Sequence, residues 1–302
     1  MEVQYNLPLS TTPIEDLAEN LGRSYDEVAR KLREYIATGV LKRYGMNVNY
    51  RSLSGYKQAA LVGFRAENVA EVAKVVNSFD EVRVKHNFLR DAEFNVWFTL
   101  KAESIEKIQE IVEEIAKVCE VKDYVVLPTK RVYKMDVKYD LRRGVSWSER
   151  GAEPEKVPLV SDLGIKEDLV RKLESLPVER RPFKRFGSEE EIVSLIEELI
   201  RLGVGRDFSG VLRERGVGFR ENGMVVVRTS KPEELAFELL GKYPQITHLI
   251  ERVASEKWNY PLYFMLHATS REPIERIASE VARMSGVEAL KVVYSRANLR
   301  EL

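Results

Sequence analysis

The sequence predicts an α+β protein built as a tandem repeat, each copy a winged helix-turn-helix followed by a ferredoxin-like βαββαβ unit. Three observations predict it. TPIEDLAENLGRSYDEVARKLREYIATGVL (residues 12–41) carries apolar spacing at helical period in two segments, broken near Gly22 and stopped at Gly39. The text that follows reads strand, helix, strand, strand, helix, strand. The same order then returns after residue 158.

The elements follow in order. The helix-turn-helix leads into LKRYGMNVNYRS and AALVGFRA, a strand pair expected to form the wing and open a sheet. Residues 69–79 read as a helix, 82–89 and 94–101 as strands, 104–118 as a helix and 121–127 as a strand. Between Asp140 and Pro158, DLRRGVSWSERGAEPEKVP lacks periodicity and reads as a linker. In the second copy, 161–176 and 188–202 are helical, with Gly203 as the stop. Strands are expected at 204–213 and 223–229, a helix at 232–242, and strands at 246–253 and 260–268. A helix at 272–284 and a strand at 288–294 close the copy. The domains are therefore 1–55 and 159–217 (helix-turn-helix, the second degenerate), 56–140 and 218–302 (ferredoxin-like), and the linker 141–158.

The repeat is visible in register. FNVWFTLKAES (Phe94–Ser104) lies over YPLYFMLHATS (Tyr260–Ser270), so that Phe98 meets Phe264 and Leu100 meets Leu266. Ser104 to Val121 and Ser270 to Val287 are both 17 steps, with Ile108 over Ile274 and Ile111 over Ile277. VKHNFLR lies over ITHLIER, pairing His86 with His248 and Arg90 with Arg252. A duplicated fold packs as a pseudo-dimer when each copy keeps its ancestor's self-complementary face. A further homo-oligomer is left open.

Composition sets the outer limits. A chain of 302 residues, 44% apolar and 32% charged, can bury a sizeable core. Lys plus Arg equals Asp plus Glu at 48 each, so no global field draws it to nucleic acid or an anionic membrane. One cysteine, Cys119 in a helical pattern, excludes a disulfide framework within the chain. No stretch reaches the ~18 apolar residues of a membrane helix, and no signal region opens the chain. The expected setting is a reducing cytoplasm.

A helix-turn-helix raises the expectation of DNA binding, which requires Lys and Arg on the second helix. YDEVARKLREYIATG has three basic and three acidic residues, and SEEEIVSLIEELIRLG has five Glu and one Arg. Phosphates would repel the latter, so DNA is not an expected partner and these segments are expected to serve as scaffold.

All three histidines fall in the ferredoxin-like units. His86 and Arg90 are four apart on one strand and so share a face, as do His248 and Arg252. On the next strand Val96, Phe98 and Leu100 should lie under the helices. The other face then carries Asn95, Trp97 and Lys101 in the first copy, and Tyr263, Met265 and His267 in the second. Cationic, titratable and aromatic groups interleaved in this way suit a flat, apolar, polyanionic ligand. There is no H-x-x-x-H spacing, no nucleophile motif and no phosphate loop, so no metal site made by the protein alone is expected.

These motifs resemble a known family. HNFLR with FNVWFTL and LPTKRVYK (Leu127–Lys134) is similar to one subunit type of the siroheme decarboxylases, which are built on the Lrp/AsnC regulator architecture. THLIER with WNYPLYFMLH, and RPF (Arg181–Phe183), is similar to the other. The resemblance covers nearly the whole chain and implies a fusion of both subunits in an Lrp/AsnC-like pseudo-dimer. One departure is that Trp258-Asn259-Tyr260-Pro261 exchanges the Pro and Asn of the family's run.

The resemblance implies a carboxy-lyase that removes two acetate carboxyls from siroheme to give 12,18-didecarboxysiroheme on the alternative route to haem. It implies no cofactor beyond the iron of the substrate, to which His86 or His248 could be the axial ligand. His248 and His267 are expected as the acid and orienting pair, with His86 next. Arg90, Arg252, Lys101, Tyr260 and Arg51 are expected to hold carboxylates, and Trp97 to stack on the macrocycle or pack between sheets. The competing readings are an Lrp/AsnC-type regulator and a non-catalytic tetrapyrrole-binding protein.

Overall fold

The computed structural model describes residues 1–80 and 83–301, so position 82 of the expected strand 82–89 and the final residue, 302, lie outside the described residues. In chain order the elements are α1 (Glu2–Tyr5), α2 (Pro13–Asn20), α3 (Tyr25–Ala37), β1 (Leu41–Val48), β2 (Gln58–Phe64), α4 (Val69–Asn77), β3 (Asn87–Arg90), β4 (Val96–Ala102), α5 (Ile105–Val118) and β5 (Tyr124–Met135). Two short strands follow, β6 (Tyr139–Asp140) and β7 (Val145–Ser146). The second copy adds α6 (Glu167–Leu173), α7 (Glu189–Arg201), β8 (Gly205–Leu212), β9 (Glu221–Arg228), α8 (Pro232–Lys242), β10 (His248–Arg252), β11 (Leu262–Ala268), α9 (Glu272–Ala282) and β12 (Ala289–Asn298).

Local chemistry explains the helix limits. Ser24 and Glu27 form a reciprocal capping box at α3, while Asn68, Ser104 and Ser188 cap α4, α5 and α7. Each such cap contributes about 1 kcal/mol by satisfying amide donors that a helix start leaves bare. α3 and α7 are both 13 residues long and both end two residues before a left-handed glycine, Gly39 and Gly203.

The residues gather into two compact units. The first comprises Met1–Leu53, Val137–Gly144 and Lys156–Arg220, and the second Ser54–Asp136, Val145–Glu155 and Glu221–Leu302.

In the first unit, β1 pairs antiparallel with β8, with Tyr44 opposite Gly210 and Met46 opposite Phe208. The expected wing hairpin between residues 41–52 and the following strand is therefore not formed. Asn49 accepts from the Arg51 amide and turns the chain into a 3₁₀ turn at Tyr50–Ser52, which takes it out of β1. The expected helix 161–176 is also shorter, a 3₁₀ turn at Ser161–Leu163 followed by α6, because Gly164 takes a left-handed conformation between them. Asp207 is bonded to Asn47 and paired with Lys138 at 2.9 Å. Phe183 of the RPF run is fully buried against Phe208.

The second unit is a closed ring of strands. Each copy has the order strand, helix, strand, strand, helix, strand, and β2 and β9 each pair with both neighbours of their own copy. The two last strands cross over. β5 pairs with β2 through Tyr124–Pro128 and then with β10 through Thr129–Met135. β12 pairs with β9 through Ala289–Tyr294 and then with β3 through Ser295–Asn298. With β3–β4 and β10–β11 also paired, the hydrogen-bonded circuit closes on itself. No edge strand is left in that circuit to template aggregation.

Alternation along the strands divides the side chains into three layers. Val62, Phe98 and Leu100 lie against α4 and α5, and Val225, Phe264 and Leu266 against α8 and α9. Between the half-rings sit Leu61, Trp97, Val125 and Leu127 of the first copy with Met224, Val226, Tyr263 and Val293 of the second. Within the stretch expected to be a featureless linker, Val145 pairs with Ala268 and so extends the sheet beside β11. Among the described residues, no helix is long and apolar enough to cross a membrane.

Candidate functional site

The polar groups of the second unit gather on the inner faces of the ring. His86 ends the approach to β3, its carbonyl accepting from the Thr99 amide of β4 at 3.2 Å. His248 opens β10 opposite Met265, the counterpart position in the other copy. The two rings come within 6.3 Å, centroid to centroid, and stand nearly perpendicular at 88°. The parity of β10, which the sequence alone leaves ambiguous, is settled by Leu249, which packs into the core beneath α8 and α9 and leaves His248, Ile250 and Arg252 on the opposite side.

Burial and the positive charges of Lys85 and Lys101, with His248 and His267 also bearing on it, push the His86 imidazole well below its usual range. His86 is therefore neutral at pH 7, a form with a lone pair available to a proton or a metal. His248 is oriented by Thr247, whose hydroxyl lies 3.0 Å from its Nδ1.

His267 lies on β11, almost fully buried. Its main chain is fixed because its amide donates to the Ser146 Oγ at 3.2 Å, and that hydroxyl in turn donates to the Gln245 carbonyl at 2.6 Å. Its Nδ1 lies 3.4 Å from the amide nitrogen of Asn222, its cross-strand neighbour on β9. Lys101 occupies the corresponding place in the first copy, opposite Ala59.

The structure gives the expected carboxylate anchors a different setting. Arg90 and Arg252 are buried, and each donates across the repeat boundary to a strand carbonyl. Arg90 reaches Val293 at 2.9 Å, and Arg252 reaches Leu127 at 3.4 Å and the Thr129 hydroxyl at 3.0 Å. Val293 and Leu127 are matching positions, so the two arginines form a pseudo-symmetric clasp. Arg90 also donates to the Asn222 Oδ1 at 3.2 Å and lies over the Phe88 ring. Arg51 lies in the other unit, on the turn after β1.

Trp97 likewise sits in the packing between the half-rings, 1% exposed. Its indole donates to the Phe94 carbonyl at 2.6 Å, and its ring centre lies 5.2 Å from that of Trp258. Gly63 opposite leaves room for it, since a Cβ there would stand 2.8 Å from the ring. Tyr260 packs on Trp258, their ring centres 5.3 Å apart, and is only partly buried.

Two residues carry more than the sequence disclosed. Asn222 sits on the same face as Met224 and Val226, a lone amide in an apolar row, and comparing it with Ala59 marks a second place where the copies diverge. Lys134 closes the LPTKRVYK run. Its Nζ is buried against the carbonyls of Ser148 at 2.6 Å and Pro244 at 3.5 Å, and burial lowers it to about 8. Among the described residues, no group of three or more His, Cys, Asp or Glu side chains is disposed to hold a metal ion.

Comparison with known proteins follows the duplication. The model of the AsnC-like ligand binding domain matches twice, over residues 53–134 and 216–300. A siroheme decarboxylase of Hydrogenobacter thermophilus is 29% identical over 314 aligned positions, spanning 99% of this chain and 91% of its own. The crystal structure of the siroheme decarboxylase NirDL superposes with a TM-score of 0.66 at 25% identity, spanning 98% of this chain and 89% of that one. The same protein in complex with an iron-uroporphyrin III analogue superposes with a TM-score of 0.65 at the same identity and coverage.

Proposed function

We infer the function from a premise of descent: the chain belongs to the AsnC-like ligand binding domain family and, within it, to the siroheme decarboxylases, with both subunit types in one polypeptide. It is a carboxy-lyase that removes two acetate carboxyls from siroheme without oxidation, giving 12,18-didecarboxysiroheme on the alternative route to haem.

In this reading siroheme sits against the polar inner face of the ring, with its iron facing the His86 and His248 pair. The observation that carries it is that pair: two imidazoles 6.3 Å apart at matching positions of the two copies, the first held neutral. A neutral imidazole can ligate the substrate's iron, whereas an imidazolium cannot. No other cofactor enters the scheme.

Each decarboxylation breaks one carbon–carbon bond. The electron pair stays on the exocyclic methylene, where the tetrapyrrole ring delocalises it, and CO2 departs. A proton then adds to that carbon to complete a methyl group. His267 is assigned as the donor, a role that typically contributes roughly 10²–10⁴ in rate. Lys101 across the ring holds a carboxylate that stays, a charge-assisted bond of about 1.5–3 kcal/mol. Tyr260 is assigned a second carboxylate, while Arg90 and Arg252 act through the strands they clasp together.

The first unit is read as two helix-turn-helix segments (1–55 and 159–217) that serve as scaffold, and the second as two ferredoxin-like domains (56–140 and 218–302) paired as a pseudo-dimer. Exposed Glu190, Glu191, Glu197 and Glu198 on α7 support a role without DNA. The single cysteine, Cys119, fits a cytoplasmic setting.

Anaerobic incubation with siroheme tests the reading. The expected result is a change in visible absorbance on binding, followed by a mass loss of two CO2. Absorbance change without mass change would reduce the protein to a carrier.

A further inference from the structure

We propose that Asn222 is a positioning residue that holds His267 in the Nε2–H tautomer, and that Arg90 sets the direction of that relay. The consequence for turnover rests on the decarboxylase reading, but the tautomer itself does not.

Every link in the relay is fixed by the one before it. A guanidinium has donors and no acceptor. Arg90 is held by the Val293 carbonyl at 2.9 Å and lies over the Phe88 ring, and its second Nη, 3.2 Å from the Asn222 side chain, can only donate. The amide of Asn222 must therefore present Oδ1 to Arg90 and Nδ2 to its other neighbour, which removes the usual ambiguity of an amide's orientation. That other neighbour is the Nδ1 of His267, at 3.4 Å. Because Nδ2 can only donate, Nδ1 must accept. In the neutral ring the proton then resides on Nε2, the nitrogen on the far side from Asn222.

Two further features fit this role. The His267 main chain is pinned by Ser146, so the ring is presented to Asn222 from a fixed strand position. In the first copy the register position of Asn222 is Ala59, opposite Lys101. A lysine has no tautomer to set, so the amide occurs in the copy that has the histidine. If His267 delivers a proton to the substrate carbon, Nε2 is the atom that delivers it. The imidazolate left behind takes its next proton from water, and it takes it at Nε2 because Nδ1 stays occupied by the Asn222 N–H.

The test is the intact chain labelled with ¹⁵N-histidine. Its three histidines are assigned by comparison with His86→Gln and His248→Gln. At about pH 8, where an ordinary imidazole is neutral, the expected His267 spectrum has an unprotonated Nδ1 and a protonated Nε2. Asn222→Asp keeps the volume and the bond from Arg90 but turns the donor into an acceptor. It should move the proton to Nδ1, or protonate both nitrogens. A wild-type His267 with Nδ1 protonated overturns the proposal, and so does an Asn222→Asp spectrum like the wild type's. The wild-type spectrum decides even if the variant does not fold. Turnover gives the second arm: kcat of Asn222→Asp should fall by roughly 10²–10⁴-fold, the range for loss of a positioned acid or of its correct tautomer, with KM changed by less than about threefold. A shifted tautomer with unchanged kcat would uphold Asn222 as the positioning residue and remove His267 from the proton-donor role.

Discussion

His86 and His248 are counterparts in the two copies, and their rings face each other at 6.3 Å, one nearly perpendicular to the other. A pair so placed can present at least one lone pair to the iron of a bound tetrapyrrole, and in the proposed reading the depressed basicity of His86 favours that residue.

The first prediction separates iron ligation from general packing. His86→Ala should weaken binding of siroheme at least tenfold, roughly 1.4 kcal/mol, and alter its visible spectrum. It should leave binding of the iron-free macrocycle within about twofold. Equal losses for both ligands in an absorbance titration would remove the axial role.

The difference between the copies gives the second. His267→Ala should lower kcat by about 10²–10⁴ and leave siroheme affinity little changed. Lys101→Ala should do the reverse, raising Kd by about tenfold, the scale of one charge-assisted bond, with a smaller change in kcat. Steady-state kinetics with an absorbance titration resolves both, and wild-type turnover in His267→Ala would end its assignment as the donor.

Packing between the half-rings gives the third. Trp97→Ala should destabilise the fold by about 3–5 kcal/mol in denaturant unfolding, the usual cost of emptying a large aromatic site. Gly63→Ala should cost about 1–3 kcal/mol, because its Cβ would stand 2.8 Å from the indole ring. Adding Trp97→Leu should recover part of the Gly63→Ala loss, since the two positions share one space.

Lys134 supplies the fourth, a pH effect with a definite sign. Its folded-state value of about 8 lies below the ordinary 10.5, so the unfolded chain binds more protons between these two values. Stability should therefore rise with pH across that window and bear a constant penalty below about pH 8, at most roughly 3 kcal/mol. Raised phenols such as Tyr263 oppose the rise above about pH 10, where unfolded tyrosines ionise first. The difference in unfolding free energy between wild type and Lys134→Met isolates the lysine and should be steepest between about pH 8 and 10.

Much of this arrangement was legible because it depends on periodicity. The faces of β4 and β11 follow from alternation, and the pairing of His86 with His248 follows from laying one copy on the other. What depends on long-range partners was not legible. The text of residues 41–66 gives two strands but cannot say that β1 joins β8, some 160 residues away in the same unit. The strengths of Arg90 and Arg252 as anion ligands are equal on paper, yet both donate to carbonyls of the opposite copy. Asn222 escaped notice because a lone amide in an apolar strand has no meaning until its neighbours are known. Ser146 was hidden in text that looked like a linker, and its importance lies in the single bond it makes to the main chain of His267.

The crossed final strands have a consequence for assembly. β5 and β12 each finish the sheet of the opposite copy, a mutual exchange that two identical copies could make just as well. Two first copies so joined would hold a pair of lysines and no His267, and two second copies would hold a pair of His267 and no Lys101. Covalent continuity between the halves removes both mismatches from any ring closed within one chain, which carries one of each.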